Sequence, residues 1–417
     1  MKFTIDAEAF ADAISWAARF LPFVPTMPVL AGIRLEATDQ QLAVSVFDYE
    51  VSAYAQVPAE VSDPGTALVS GRVLTEIAKR LRAGAVEVAL DGATMTLRSG
   101  PASFGLLTMP VEDYPTIPAM PPTVGQVDAS VLTRAITQTG IAAAHDHTVP
   151  TLCSLRLDLA PQGPPMLSGT DRYRVALRRL TGWQPTITPT GNTAAHGRPE
   201  NDREDGEAPA SGLGGDPVKV FVYAATMTRI AKALTGDLPV TVGLAADHNQ
   251  APHLIGLQVP GRTITTRLMD GAVLDYASML ENKQRPHRVE IGTREFIEAV
   301  QRVAVVAERN TPVRLSFTTV QDGPDGQSEM TLQAGTGDEA NGRDVLPARV
   351  HGTPPTVAFN PGYLTDALNA LDSDTAHLFI GDKDTTSALI TGTVPDNAKN
   401  LNAVIYRHYL MPVRLTS

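Results

Sequence analysis

One short stretch occurs three times in this chain, and that repetition narrows the possible folds more than any other feature. Leu74-Thr-Glu-Ile-Ala-Lys-Arg-Leu81 returns as Met227-Thr-Arg-Ile-Ala-Lys-Ala-Leu234, and again as Leu364-Thr-Asp-Ala-Leu-Asn-Ala-Leu371. In each copy apolar residues fall at the first, fourth or fifth, and eighth positions, the stripe of a short helix packed on one face. The copies stand roughly 140 to 150 residues apart, too far for a solenoid and about the size of whole domains. The chain therefore reads as one domain design used three times.

Composition permits this. A chain of 417 residues, 43% hydrophobic and 19% charged, can bury several cores. No apolar run is long enough to cross a bilayer, and Met1-Lys2-Phe3-Thr4-Ile5-Asp6 begins directly with strand-like alternation, so no signal peptide or membrane partner is expected. The single cysteine, Cys153, excludes an intramolecular disulfide and fits a reducing cytoplasm. A net charge of −11 argues against a protein that coats nucleic acid with its whole surface, while leaving room for a local basic face.

Read in order, Phe3 to Ile5 is a strand and Ala7 to Leu21 a helix with Phe10, Ile14, Ala17 and Leu21 on one stripe. Val29–Ala37, Leu42–Phe47 and Val51–Val57 alternate as strands. The signature helix follows, opened by Ser70-Gly71 and stopped by Gly84, and then Val86–Leu90, Thr94–Leu97 and Phe104–Met109 alternate again. Strand, helix and strands thus occur twice, so each domain is itself doubled. Restarts after Ala119-Met-Pro-Pro-Thr-Val-Gly and after Glu281-Asn-Lys-Gln-Arg-Pro286 divide the chain into 1–121, 125–283 and 287–417. The surplus in the second unit, residues 185–217, is rich in Gly, Pro, Asp, Glu, Asn and Ala and is expected to be an exposed, disordered insertion. Its Ser211-Gly-Leu-Gly-Gly is no phosphate loop, because no strand leads into it and no Lys-Ser/Thr follows.

Five motifs on this threefold repeat carry a resemblance: the opening Met-Lys-Phe-Thr, Pro25-Thr-Met-Pro-Val-Leu30, Met109-Pro-Val-Glu-Asp-Tyr-Pro115, Thr170-Asp-Arg-Tyr-Arg174 and Tyr409-Leu-Met-Pro-Val-Arg-Leu415. Together they resemble the bacterial DNA polymerase III beta subunit, the sliding clamp family, over essentially the whole chain outside 185–217. The resemblance implies an α+β fold of three clamp domains, each a doubled helix-plus-antiparallel-sheet unit. It further implies a head-to-tail homodimer closed into a ring around double-stranded DNA, without catalysis or cofactor. The implied partners are the DNA polymerase catalytic subunit, the clamp loader and repair proteins carrying clamp-binding peptides. A ring that travels along any sequence should hold DNA by diffuse phosphate attraction and avoid base contacts.

The resemblance also assigns residues. Arg19, Arg72, Lys79, Arg80, Arg82, Arg134, Arg229, Lys232 and Arg302 lie on or beside the helices expected to face DNA, with Arg294 and Arg309 nearby. Val24 stands where the family usually has arginine, and the third signature helix carries Asn369 and no lysine, so DNA attraction per ring should be weaker than is typical. A peptide groove between the second and third domains is implied at Leu152, Thr170, Arg172, Tyr173, Arg174, Val175, Leu274, Ser278 and Met279. Ser387, Tyr409, Met411, Pro412, Val413 and Arg414 complete it. Leu274 for the family's proline, Ser278 for a basic residue, and bulky Arg172-Tyr173 suggest a groove altered to discriminate between partners or to refuse a groove-binding inhibitor, as in antibiotic resistance. Phe104 and Leu106 on an edge strand, with Val305 and Val306 at a helix end, are the ring-interface candidates.

The competing class is a hydrolase-type enzyme. His145-Asp-His147, shortly before Cys153, is the one cluster resembling a nucleophile with its base or a partial metal site. No Cys-x-x-Cys, His-Glu-x-x-His or P-loop accompanies it, and the segment reads as a loop entering a strand.

Overall fold

The computed structural model describes residues 1–146, 148–160, 163–186, 218–234, 236–247, 251–271, 276–306, 311–319, 328–335, 340–394 and 401–414, without the side chains of 276–278 and 319. In chain order, the first part of the molecule contains β1 (Lys2–Asp6), α1 (Ala7–Ala18), β2 (Gly32–Thr38), β3 (Gln41–Phe47), β4 (Val51–Pro58), β5 (Glu60–Asp63), β6 (Gly65–Ser70), α2 (Gly71–Ala78), β7 (Ala85–Asp91), β8 (Thr94–Ser99) and β9 (Ala102–Met109). There follow β10 (Thr123–Asp128), α3 (Ala129–Gly140), β11 (Ser154–Leu159), β12 (Met166–Thr170), β13 (Arg174–Arg179), β14 (Gln184–Pro185), β15 (Val218–Tyr223), α4 (Ala224–Ala233), β16 (Pro239–Ala246), β17 (Pro252–Val259), β18 (Arg262–Arg267) and α5 (Tyr276–Glu281). The last part holds β19 (His287–Gly292), α6 (Thr293–Ala304), β20 (Val313–Thr319), β21 (Ser328–Ala334), β22 (Gly342–His351), β23 (Val357–Phe359), α7 (Pro361–Asn369), β24 (Thr375–Ile380), β25 (Ala388–Thr391) and β26 (Tyr406–Leu410).

Helices α1 and α2, α3 and α4, and α6 and α7 pack as three pairs, and the three signature stretches begin in α2, α4 and α7 and run past their C-terminal ends. In α1 the Asp6 carboxylate accepts the N–H groups of Glu8 and Ala9 at 3.0 Å, satisfying two donors that the first turn leaves free. Phe10, Ile14 and Ala17 then turn one face into the core. Helix α7 begins the same way, with Asn360 accepting from the Tyr363 N–H at 3.1 Å and Leu364 and Leu368 buried.

Several elements differ from the sequence expectation, among them α2, which ends at Ala78 well before Gly84. Helix α1 ends at Ala18, three residues before Leu21, because the prolines that follow cannot continue it. Val29 to Ala31 belong to a 3₁₀ turn, Pro28–Ala31, and the strand starts at Gly32. Strands β5 and β6, which carry little alternation, were not expected. Of the 185–217 insertion, Pro185 pairs in β14, and 187–217 lie outside the described residues.

Among the described residues the strands form two antiparallel sheets, ordered β14-β10-β16-β17-β18-β4-β3-β2-β6-β9-β8-β7-β1-β5 and β15-β11-β12-β13-β26-β25-β24-β19-β22-β21-β20-β23. Two ladders join parts of the chain far apart in sequence. At a first junction β4 pairs with β18, Val51 opposite Thr266 through Ala55 opposite Arg262. At a second junction β13 pairs with β26, Arg174 opposite Leu410 through Arg178 opposite Tyr406. Side chains alternate across each ladder, so every junction has a helix-side face and an outer face. No described helix is long and apolar enough to cross a membrane.

Besides the terminal strands of each sheet, two strands keep an open stretch of edge among the described residues. β9 pairs with β8 along residues 102–107 but meets β6 only at Thr108 and Met109. β22 pairs with β21 along 342–348 but meets β19 only at 349–351. Pro347, which has no N–H to donate, is tolerated in β22 because that edge is open.

Candidate functional site

The helix side of the first junction is aromatic. Trp16 is buried and donates its indole N–H to the Ala233 carbonyl at 3.1 Å. The Arg262 guanidinium lies 5.1 Å from the Trp16 ring centroid and pairs with Asp12, while Arg229 stands 5.5 Å from the Phe20 ring. Arg19 donates to the Lys232 carbonyl, and Arg229 Nε donates to the Arg19 carbonyl at 3.1 Å. Burial lowers the Arg229 pKa from its ordinary value. On the outer face of this junction, Ser52 and Thr265 share a hydroxyl hydrogen bond of 2.7 Å.

The second junction reverses the arrangement. Its helix side is a polar network: Arg174 reaches Asp171 at 2.9 Å and Asp366 at 2.6 Å, and its guanidinium sits 4.3 Å from the Tyr363 ring centroid. Arg178 donates to the Gln138 side-chain oxygen, and the Gln138 amide donates to Ala370 O at 2.6 Å and to Asp372 at 3.0 Å. Tyr406 and His408 are 3.0 Å apart beneath it, and burial pushes the imidazole down to about 3, so it stays neutral. The outer face is apolar, a cluster of Val175, Leu177, Leu280, Phe379, Leu389 and Tyr409.

Most of the expected groove residues gather at this outer face and its rim. Val175 and Tyr409 are buried floor, and Leu152 is buried on a separate 3₁₀ turn, Pro150–Cys153. Ser387 is buried too: its hydroxyl and carbonyl accept from Arg285 at 2.8 and 2.7 Å, and Arg285 stacks 4.8 Å from the Tyr409 ring centroid. Sequence reasoning missed Arg285, which ties the connector before β19 to the entry of β25 by donating to Ser387 and braces its own connector by donating to Leu280 and Lys283.

The rim is built on a tight turn. Asp171 accepts the N–H groups of Tyr173 and Arg174 at 3.0 Å, Arg172 takes a left-handed φ of 78°, and Thr170 Oγ1 accepts the Arg172 N–H at 3.1 Å. Tyr173 is 61% exposed and stacks against Tyr363. The exit from β26 runs along this turn, with Met411 N–H donating to Tyr173 O at 2.9 Å and Val413 N–H to Ala358 O at 2.8 Å. Met279, Met411, Val413 and Arg414 are exposed, and Pro412 is half-buried. Arg174 does not reach the rim, because its side chain belongs to the helix-side network. Leu274 and the Ser278 side chain lie outside the described residues.

Several expected DNA-facing cations are already paired. Lys79 and Arg80 meet Glu76 at 3.3 and 2.5 Å, and their hydrogen bonds hold its carboxyl below the usual carboxylate range. Arg134 meets Asp372 at 3.5 Å, and Arg302 meets Asp344 at 2.8 Å and Glu298 at 3.8 Å. Arg294 pairs with Glu298 at 3.0 Å. Arg72, Arg82 and Lys232 are exposed with no carboxylate in ion-pair range among the described residues. Arg309 lies outside the described residues.

Of the edge candidates, Phe104 is half-buried and Leu106 is buried against its own protomer's core. Leu107 on the opposite face of β9 and Val345 on β22 are exposed, as is Val305, while Val306 is half-buried. Among the described residues the alternative catalytic cluster does not assemble. Cys153 is buried, donates its thiol to Asp146 O at 3.1 Å, and is pushed up in pKa by burial and by Asp146, the reverse of an activated nucleophile. His145 is exposed, and His147 lies outside the described residues.

Comparison with known proteins decides the family. Residues 1–118 match the DNA polymerase III beta subunit N-terminal domain and 282–406 its C-terminal domain. The beta sliding clamp of Streptomyces coelicolor is 38% identical over 416 residues, covering 100% of both chains. The chain belongs to the DNA polymerase III beta subunit family. It is a sliding clamp, a non-catalytic processivity subunit whose partners are DNA, the polymerase and a second copy of itself. Also similar are the beta sliding clamp homolog GriR of Streptomyces muensis, 32% identical with 99% of each chain covered, and a Pseudomonas aeruginosa sliding clamp crystallised with griselimycin. The latter has a TM-score of 0.80 at 23% identity, with 100% of both chains covered. The clamp fold accounts for the three helix pairs under antiparallel sheet.

Proposed function

We propose that this cytoplasmic clamp consists of three domains, 1–121, 125–283 and 287–417, and closes head-to-tail with its second copy around duplex DNA. The open edges of β9 and β22 pair across the subunits, with Phe104, Leu107, Val305 and Val345 beside them and Leu106 supporting β9 from within. Unpaired Arg72, Arg82 and Lys232 carry most of the phosphate attraction, and the paired cations contribute less. DNA binding is therefore expected to weaken with salt less steeply than nine free cations would give.

Polymerase, clamp loader and repair proteins dock short peptides at the second junction. Apolar anchors lie over Val175, Tyr409 and Leu280, and the rim of Tyr173, Met279, Met411 and Val413 closes round them. The single observation behind this reading is the outward-facing apolar floor of the β13–β26 ladder. Its test is retention on nicked circular DNA after loading with a clamp loader and ATP. Release on linearisation is expected; retention on linear DNA would refute enclosure.

A second reading concerns inhibitors. Tyr173 stands exposed at the rim and stacks on Tyr363, which adds aromatic bulk at the edge of the groove. The groove is thereby suited to refuse a bulky groove-binding inhibitor while admitting a linear peptide. Titrating griselimycin and a linear polymerase peptide against this clamp and its Tyr173→Ala variant tests it. Equal griselimycin affinity in both proteins would remove the idea.

A further inference from the structure

The rim of the second junction has a copy at the first. Asp48 accepts the N–H groups of Glu50 and Val51 at 3.0 and 2.7 Å, as Asp171 does for Tyr173 and Arg174. Tyr49 then takes a left-handed φ of 73°, matching 78° at Arg172. The exit from β18 is tied down as the exit from β26 is: Arg267 N–H donates to Glu50 O at 2.9 Å, and Met269 N–H to Phe221 O at 2.9 Å. A Pro-x-Leu 3₁₀ turn borders each copy, burying Leu30 in one and Leu152 in the other.

Over the first copy runs the connector between β9 and β10. It is fixed at two points. The Tyr114 hydroxyl accepts from Phe47 N–H at 2.7 Å, and burial raises that phenol to about 12, so it remains a neutral anchor. Farther along, Met120 and Pro121 press onto Gly243 and Gly256, which face each other in β16 and β17, where any Cβ would collide with the connector. Between these anchors the connector bridges a cavity of about 520 Å³. Its sheet side is Arg34, Tyr54 and Thr263, and its strap side includes Ile117, Pro118 and Met120. The strap supplies apolar surface. The sheet supplies hydrogen-bond donors: the Tyr54 hydroxyl, and the Arg34 guanidinium with one arm on Glu36 at 2.7 Å.

We propose that this cavity is a second linear-peptide site, taking an apolar side chain beneath the strap and an adjacent carbonyl or carboxylate on Arg34 and Tyr54. The inference rests on the peptide reading of the second junction, whose rim geometry it shares. The row next to the cavity is the hydroxyl pair Ser52–Thr265 in place of Val175–Tyr409, so less apolar area is available. Affinity is expected about tenfold below that of the second junction.

Methionine methyl groups report on the two sites separately, because Met120 lines the new cavity while Met279 and Met411 stand at the groove rim. The probe is the pentapeptide Asp-Leu-Asp-Leu-Phe with a free carboxylate, titrated into the intact ring labelled with ¹³C-methyl methionine. Two saturable responses are expected, with Met120 moving at about tenfold higher peptide than Met411. Thr263→Trp should abolish the Met120 response and leave that of Met411, which also reports that the variant is folded. Val413→Glu should do the reverse, and Arg34→Met should weaken the Met120 response about fivefold. A response at Met411 alone, or one at Met120 that survives Thr263→Trp, overturns the second site and spares the groove. A response at Met120 alone sustains it and sinks the groove, and silence at both methyls sinks both.

Discussion

The two junctions of this clamp use the same backbone plan with opposite chemistry on their faces. At β4–β18, aromatic rings and arginine stacking lie on the helix side, and a hydroxyl pair lies outside. At β13–β26, a charged and amide network lies on the helix side, and apolar residues lie outside. The difference teaches where a partner can be bound. Adhesion between repeats can be provided from either face, but an outward apolar floor meets an arriving leucine or phenylalanine directly, whereas the first junction has apolar surface outside only where the connector strap supplies it. The second junction has therefore moved its adhesive work into ion pairs on the far side of the sheet.

The comparison can be broken first at Trp16. Trp16→Ala removes a buried ring and its hydrogen bond and is expected to cost about 4 kcal/mol, nearly independent of salt, read as a shift in the denaturant midpoint. A loss under about 1 kcal/mol would show that the first junction is held elsewhere. Arg174→Met comes next, at about 3 kcal/mol, since it strands Asp171 and Asp366 without their guanidinium. Part of that cost should fade at high salt, unlike the cost at Trp16.

Acid sharpens the contrast further. His408 has its pKa lowered by burial from 6.5 to about 3, so the unfolded chain binds a proton more readily than the folded one. Its share of stability is complete above about pH 6.5 and is lost as pH falls toward 3, amounting to about 2 kcal/mol at pH 5. Comparing unfolding at pH 7 and pH 5 in the parent and in His408→Phe should show a smaller loss in the variant; equal losses would place the proton elsewhere. The smallest effect is expected from Ser52→Val with Thr265→Val. Replacing both hydroxyl partners by groups of similar shape should change stability by no more than about 0.5 kcal/mol, and the same titration measures it.

Legibility in the sequence followed the range of the interaction. The signature helices were readable because a helix repeats its apolar stripe within eight residues, and Leu74, Met227 and Leu364 are all buried. The short strands β5 and β6 were not, since Glu60 to Asp63 are polar and held only by neighbours. At the proposed groove, motif resemblance named Val175, Tyr409, Met411 and Val413, but which side of the sheet Arg174 faces is fixed by strand parity within the ladder. Among the cations, charge was visible and pairing was not: Asp372 reaches Arg134 from more than two hundred residues away. The copied turn at Asp48-Tyr49 left a faint trace, an aspartate before a residue that must turn left-handed, as at Asp171-Arg172. Without φ angles nothing distinguished it from any other aspartate in a loop.

The open strands at the two ends of the protomer have a consequence for assembly. In the proposed ring each end offers its donor-and-acceptor row to the opposite end of another copy, so nothing in the contact itself counts to two. Closure is decided by the bend accumulated across the two ladders between those ends. A change that flattened either ladder would leave the end-to-end bond intact and turn a closed circle into an endless spiral filament.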